Sequence, residues 1–194
     1  SQFGYAGSSV SMQLIEGDPY GNLYGTSYQR YYPNGSPEGL ETLDRDLSLV
    51  IGPDGFPVRN GNQLIIGNAQ PDWFAGINNS FTYKNFALSF LIDTRYGIDQ
   101  YSQFDNFYAA FGQLDYSLDR NAVVVFDGVQ SDGSRNDVPV WLGQGIGPDG
   151  ADYGASFYRN DFRGVSENFV TDASFVKLRN ISLQYTLGED IISK

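Results

Sequence analysis

Residues 73 to 96 decide the fold: Trp73-Phe-Ala-Gly-Ile-Asn-Asn-Ser-Phe-Thr-Tyr83, then Lys84-Asn85, then Phe86-Ala-Leu-Ser-Phe-Leu-Ile-Asp-Thr-Arg-Tyr96. The odd positions of the first run are Trp73, Ala75, Ile77, Asn79, Phe81 and Tyr83, and smaller or more polar residues fill most even positions. In the second run the even positions Phe86, Leu88, Phe90, Ile92, Thr94 and Tyr96 alternate with Ala87, Ser89, Leu91, Asp93 and Arg95. Period-two alternation marks a strand with one apolar face. Lys84-Asn85 reads as a two-residue turn in which Asn tolerates positive φ. Pairing through that turn sets Tyr83 opposite Phe86, Ile77 opposite Ile92 and Trp73 opposite Tyr96, all on one face.

That face is tall. Ten steps of about 3.3 Å, tilted about 40°, rise roughly 25 Å, the height of the lipid-facing band of an outer-membrane barrel. Soluble strands usually run about 5–6 residues. Trp73 and Tyr96 stand at one end and Tyr83 and Phe86 at the other, where interfacial aromatic girdles belong. A soluble sandwich hairpin with one buried face shares the alternation and stays open on pattern alone.

Two further runs alternate. In 175–187 the odd positions are Phe175, Lys177, Arg179, Ile181, Leu183, Tyr185 and Leu187, so one face carries charge first and turns apolar at Ile181. That fits a strand passing from a polar region into lipid. Val10-Ser-Met-Gln-Leu-Ile-Glu16 is a weaker run. Strands are therefore expected near 8–16, 73–83, 86–96 and 174–187, with long irregular loops at 17–70 and 97–173. Within the second loop, Phe104, Phe107, Phe111, Leu114 and Leu118 are spaced like one face of a helix of about four turns. Ala122-Val-Val-Val-Phe126 reads as a buried run.

Composition narrows the function classes. The chain has 194 residues, 12 Lys plus Arg, 23 Asp plus Glu, a net charge of −11, no His and no Cys. Without His or Cys there is no imidazole base, no thiolate nucleophile and no Cys/His metal site. The acidic balance argues against a nucleic-acid partner, which would need a basic footprint. The length suits one domain. Aromatics and Gly in quantity read as all-β with many turns. No apolar run is long enough for a transmembrane helix, which says nothing against spanning strands.

Few constellations suggest chemistry. Gly143-Gln-Gly-Ile-Gly147 lacks the Lys and following helix of a phosphate loop. Asp127, Asp132 and Asp137 with Asn136 offer oxygen ligands, but their spacing matches no Ca²⁺ loop and reads as turn formation. Tyr153, Phe157 and Tyr158 either stack on sugar rings or pack the loop. No catalytic, metal or cofactor residue is assigned.

Longer strings carry a resemblance. Ile66-Gly-Asn-Ala-Gln-Pro71-Asp72-Trp73, then Gly76, then Phe81-Thr-Tyr83-Lys84-Asn-Phe86 with Leu88, resembles a barrel-hairpin signature of the SusC/RagA family of TonB-dependent outer-membrane transporters of the Bacteroidetes. Val170-Thr-Asp172-Ala-Ser174-Phe175-Val-Lys177-Leu178-Arg179-Asn-Ile-Ser-Leu-Gln-Tyr185-Thr-Leu187 resembles a second signature, with Gly188 where the pattern usually has Pro. Glu16-Gly-Asp-Pro-Tyr-Gly21 with Leu23-Tyr-Gly25 resembles a looser third.

The resemblance implies antiparallel strands of a partial transmembrane β-barrel with long extracellular loops, taken from the C-terminal half of a barrel of about 22 strands. Residues 1–194 are expected to hold barrel alone, with no plug domain. The implied setting is the bacterial outer membrane, with the Lys84-Asn85 turn toward the periplasm. The implied role is non-catalytic nutrient import, of oligosaccharide or peptide. The implied partners are a SusD-like lipoprotein, TonB (through a missing N-terminal part) and the lipid bilayer. An acidic loop rim, including Asp127, Asp132, Asp137, Asp149, Asp152 and Asp161, favours neutral or cationic ligands over anionic ones. The other reading is a free-standing soluble β-domain that binds glycans through loop aromatics.

Overall fold

The computed structural model describes residues 2–4, 10–13 and 15–188. Its strands, in chain order, are β1 (Gln2–Gly4), β2 (Ser11–Gln13), β3 (Asn22–Gly25), β4 (Leu64–Asn68), β5 (Trp73–Tyr83), β6 (Phe86–Tyr96), β7 (Asp99–Tyr101), β8 (Val123–Val124), β9 (Val140–Trp141), β10 (Val170–Asp172) and β11 (Phe175–Tyr185). One α-helix, α1 (Gln103–Phe111), and three short helical turns complete the described residues. The protein is all-β, with antiparallel pairing in its main sheets: β1-β2-β3-β4 and β5-β6-β11. Of the first expected strand, residues 8, 9 and 14 lie outside the described residues, and β2 covers Ser11–Gln13. No closed barrel forms among the described residues.

The chain divides into two compact units rather than one, with breaks at 69/70, 99/100 and 171/172. The first unit holds the residues before 70 together with 100–171; the second holds 70–99 with 172 onward. The connections expected as irregular thus carry a core and short strands of their own.

The second unit is the three-stranded sheet. Its β5–β6 register is Tyr83↔Phe86 through Ile77↔Ile92 to Trp73↔Tyr96, as the alternation requires. The turn differs in one detail. Positive φ falls on Lys84 (51°), not on Asn85. Asn85 is used across the sheet: its Nδ2 donates to the Thr186 carbonyl at 2.9 Å, and its own carbonyl accepts from the Thr186 N–H at 2.8 Å. The third strand is thereby tied to the hairpin tip.

β11 corrects the sequence reading more substantially. It pairs Leu178 with Ile92 but Asn180 with Leu91, so Arg179 is an extra residue, a β-bulge. One inserted residue reverses side-chain parity. Val176 and Leu178 therefore share a face with Ile181, Leu183 and Tyr185. Lys177 pairs with Asp93 on the opposite face, and Arg179 donates to Asp93 Oδ2 from Nη2 at 2.7 Å. The face does not change from charged to apolar at Ile181; it is apolar along the whole strand.

The first unit has the buried core. Val10, Leu23, Ile66, Tyr101, Ala109, Phe169 and Val170 form one cluster, and Leu142, Phe157 and Tyr158 a second, with Phe162 against both. α1 is shorter than its spacing suggests. Gly112 takes a left-handed conformation (φ 69°) and returns its N–H to the carbonyls of Ala109 and Tyr108, which ends the helix before Leu114 and Leu118. Its aromatic face also points outward: Phe104, Phe107 and Phe111 are exposed, while Asn106, Ala109 and Ala110 are buried. Small side chains allow close approach on the inner face, and Asn106 fastens it by donating to the Arg163 carbonyl at 2.9 Å. The 122–126 run is not buried throughout. Val123 and Val125 are exposed, and Ala122, Val124 and Phe126 turn inward onto the second cluster.

An ion pair sits inside this unit. Arg30 Nη2 donates to Glu167 Oε1 at 3.0 Å, with both side chains more than nine-tenths covered. Burial raises the Glu167 pKa, and Arg30 opposes that shift without cancelling it. The folded state thus holds the Glu167 proton more tightly than the unfolded chain does. Its contribution to stability is full below the unfolded value and is lost as pH rises through the folded one. We expect Arg30→Ala, which strands the carboxylate, to destabilise by about 3–5 kcal/mol at neutral pH and by less at pH 4. Urea unfolding at the two pH values checks this, and an equal loss at both would contradict it.

Candidate functional site

Two features have functional character, one in each unit. The first is the sheet. Not one described residue of the second unit is buried. On the apolar face, Ile77, Phe81, Val176, Leu178, Ile181 and Leu183 are all more than half exposed. An apolar patch of this extent on both outer strands is far beyond what a soluble surface carries. The opposite face is polar over much of its length, with Asn78, Ser80 and Thr82 on β5, Ser89 on β6, and Asn180, Ser182 and Gln184 on β11.

Aromatics cluster at both ends of the apolar face. Trp73 stacks on Tyr96 with centroids 5.8 Å apart and planes 19° apart. At the other end Phe86 contacts Tyr185 at 4.7 Å, beside the exposed Tyr83. Tyr185 thus stands with the expected girdle residues Tyr83 and Phe86, a pairing that depends on the β6–β11 register, which the alternation alone does not give.

The remaining motif residues are structural at the sheet's open end. Pro71 and Asp72 lead into β5; the Asp72 N–H donates to the Tyr96 carbonyl at 2.9 Å. The Asp72 carboxylate lies where a Cβ on Gly97 (φ 71°) would fall, so only Gly fits there. Asp172 Oδ1 accepts from both the N–H and the hydroxyl of Ser174, and the Gly97 N–H donates to Ser174 Oγ at 3.0 Å. Hydrogen bonds to Ser174 hold the Asp172 pKa below the usual carboxylate range. Together these contacts align the start of β5, the end of β6 and the start of β11. Phe175 lies under the Lys177 ammonium (4.4 Å) and the Arg95 guanidinium (5.9 Å). Gly76 is an unremarkable β5 position with open space where a Cβ would go.

The second feature is a cleft of about 760 Å³ in the first unit. Phe56, Trp141 and Tyr153 contribute aromatic wall, Phe157 lies behind them, and Asp54, Arg59, Asp152 and Asp161 are the charged residues. Of the three aromatics singled out in the sequence, Phe157 and Tyr158 are buried core, Phe157 and Tyr153 line the cleft, and Tyr153 alone of the three is half-exposed. Phe56 and Trp141 were missed: 85 positions separate them, and no local pattern joins them. Of the acids Asp127, Asp132 and Asp137, Asp132 does turn work. Asp132 Oδ1 accepts from the Ser134 N–H and hydroxyl, and buried Asn136 bonds Gln130, Val138 and the Phe126 carbonyl.

No family model matches the sequence. The chain is similar to TonB-dependent receptor P3 of Formosa agariphila, with 26% identity over 187 residues that make up 93% of this chain and 16% of that protein. It is also similar to TonB-dependent receptor P39 of the same organism, with 30% identity over 135 residues, 69% of this chain and 11% of that protein. The chain thus spans a small part of the curated relatives it matches. Both likenesses support the TonB-dependent receptor family.

The bulge gives a direct test of the sheet's two-sidedness. Deleting Arg179 restores an unbroken ladder and moves Lys177 onto the apolar face. In lipid that costs about 1 kcal/mol near the interface, rising to about 2–4 at mid-depth. Arg179→Ala keeps the bulge and removes only an exposed ion pair, worth at most about 1 kcal/mol. Thermal unfolding in detergent micelles should therefore show a clear loss for the deletion and near-native behaviour for Arg179→Ala. Equal behaviour of the two would contradict the assignment.

Proposed function

We propose that this chain is part of the barrel of an outer-membrane TonB-dependent nutrient importer of the SusC/RagA type. The observation that carries the reading is the uncovered apolar face of β5, β6 and β11, 11 residues long in each strand, bounded by aromatics at both ends and backed by a polar face. Lipid is the environment that satisfies such a sheet, provided its edge strands find neighbours. The likeness to two TonB-dependent receptors supports it.

On this reading the apolar side chains face lipid, and Trp73, Tyr96, Tyr83 and Phe86 form the interfacial girdles. The Lys84-Asn85 turn faces the periplasm, and the connections 17–70 and 97–173 lie toward the exterior. The motif residues Pro71, Asp72, Asp172 and Ser174 set the strand level. The chain does no catalysis. The transported nutrient is a neutral oligosaccharide or a peptide rather than an anionic glycan, because the acidic connections repel negative charge. A SusD-like lipoprotein covers the mouth, and TonB supplies energy through a part of the protein other than this barrel segment.

The test uses the intact protein in its host. It should sediment with the outer membrane and resist carbonate extraction, and uptake of its nutrient should be lost when TonB is removed. Release into the soluble fraction would instead favour the soluble glycan-binding domain.

A further inference from the structure

The glycines of the 143–147 loop have a role that phosphate binding does not explain. A Cβ on Gly143 would fall within 2.5 Å of three atoms of the Trp141 indole, and one on Gly147 within 3 Å of the Tyr153 ring. Both glycines are therefore seats for aromatic side chains. Trp141 is fixed further by its Nε1–H, which donates to the Asn121 carbonyl at 2.9 Å. Tyr153 is fixed by its hydroxyl, which donates to Asp149 Oδ2 at 2.8 Å. The two rings meet edge to face at 5.6 Å, and Phe56 stacks on Phe157 at 5.8 Å. The aromatic wall of the cleft is thus held in place before anything binds.

Its charge is unbalanced. Asp54, Asp152 and Asp161 face one cation, Arg59, a net of 1 − 3 = −2. Arg59 is already engaged: its Nη2 donates to the carbonyls of Asn160 (2.6 Å) and Asp161 (3.0 Å) and to Asp161 Oδ1 (3.3 Å). Asp54 and Asp152 each accept a backbone N–H two residues on, through Oδ1 only. Neither has an ion-pair partner among the described residues. Burial raises the Asp161 pKa; Arg59 opposes that shift, and the nearby Asp54 charge adds to it.

We propose that this cleft binds an external guanidinium group, stacked on its fixed aromatic wall and paired with Asp54 and Asp152. A guanidinium suits both halves of the site. It is planar, weakly hydrated and stacks on rings, and its fork matches a carboxylate. A neutral sugar would use the rings and leave the charge surplus unanswered. The inference stands on the cleft and does not depend on transport.

Saturation-transfer NMR on the full chain in detergent micelles tests it, with N-acetyl-arginine amide, methylguanidinium, the neutral isostere N-acetyl-citrulline amide, and maltohexaose as probes. Both guanidinium probes should bind, and raised salt should weaken them. Tighter binding of the arginine amide would point to a peptide source, and equal binding to free guanidinium compounds. The citrulline amide should bind about tenfold more weakly or not at all. The double variant D54N/D152N keeps both Oδ1 acceptors and so both turns. It should lose about tenfold in affinity for the arginine amide, with an unchanged circular dichroism spectrum. Absence of arginine-amide binding, citrulline amide or maltohexaose binding as tightly, or unaltered binding by D54N/D152N would each overturn the proposal.

Discussion

Everything about the second unit follows from one uncovered surface. Three strands, each 11 residues long, present a largely apolar face with none of the described residues packed on it. In water, each large side chain left exposed forgoes about 1.5–3 kcal/mol of burial, and a sheet that is apolar on one face must bury that face against something. Lipid removes that penalty but imposes another, because unpaired backbone at the sheet edges cannot be hydrated there. The outer edges of β5 and β11 have no paired strand among the described residues. The bare face and the open edges are what the proposed membership of a larger wall would satisfy, and the chain spans only a small part of the curated relatives it matches.

Keeping such a face in phase over three strands takes local devices. The Lys84 left-handed turn fixes the hairpin register, and Asn85 fastens β11 to the same tip. At the far end Asp72, Gly97, Asp172 and Ser174 bring the strand ends level. Between these clamps β11 holds one residue more than its partner, and the Arg179 bulge absorbs it. The motif residues therefore act on register more than on ligand chemistry. Recognition would fall to the first unit, where a preformed aromatic cleft has acidic residues to spare.

The hairpin was fully legible because two independent signals, alternation and turn length, demand the same register. β11 was legible as a strand but not in its faces. A bulge is a property of the pairing, and the odd-position series through Lys177, Arg179 and Ile181 gives no sign of where parity breaks. α1 was visible in its spacing, yet the inward face is the one with Asn106, Ala109 and Ala110, since Asn106 finds a backbone partner in the Arg163 carbonyl. The cleft was illegible in principle. Phe56 meets Phe157, and Trp141 meets Tyr153, only through tertiary packing, and the glycines that seat two of these rings resemble a different motif when read in line.

None of these 194 residues is Cys, so a Cys introduced here for a spin label has no native competitor within this stretch. Labels at successive positions from Phe175 to Tyr185, in the intact protein reconstituted into liposomes, report oxygen against aqueous nickel access. Lipid contact through one face predicts oxygen maxima at 176, 178, 181, 183 and 185, with the phase slipping by one residue at Arg179. High nickel access at those positions, equal to that of 180, 182 and 184, would contradict lipid as the cover of this face.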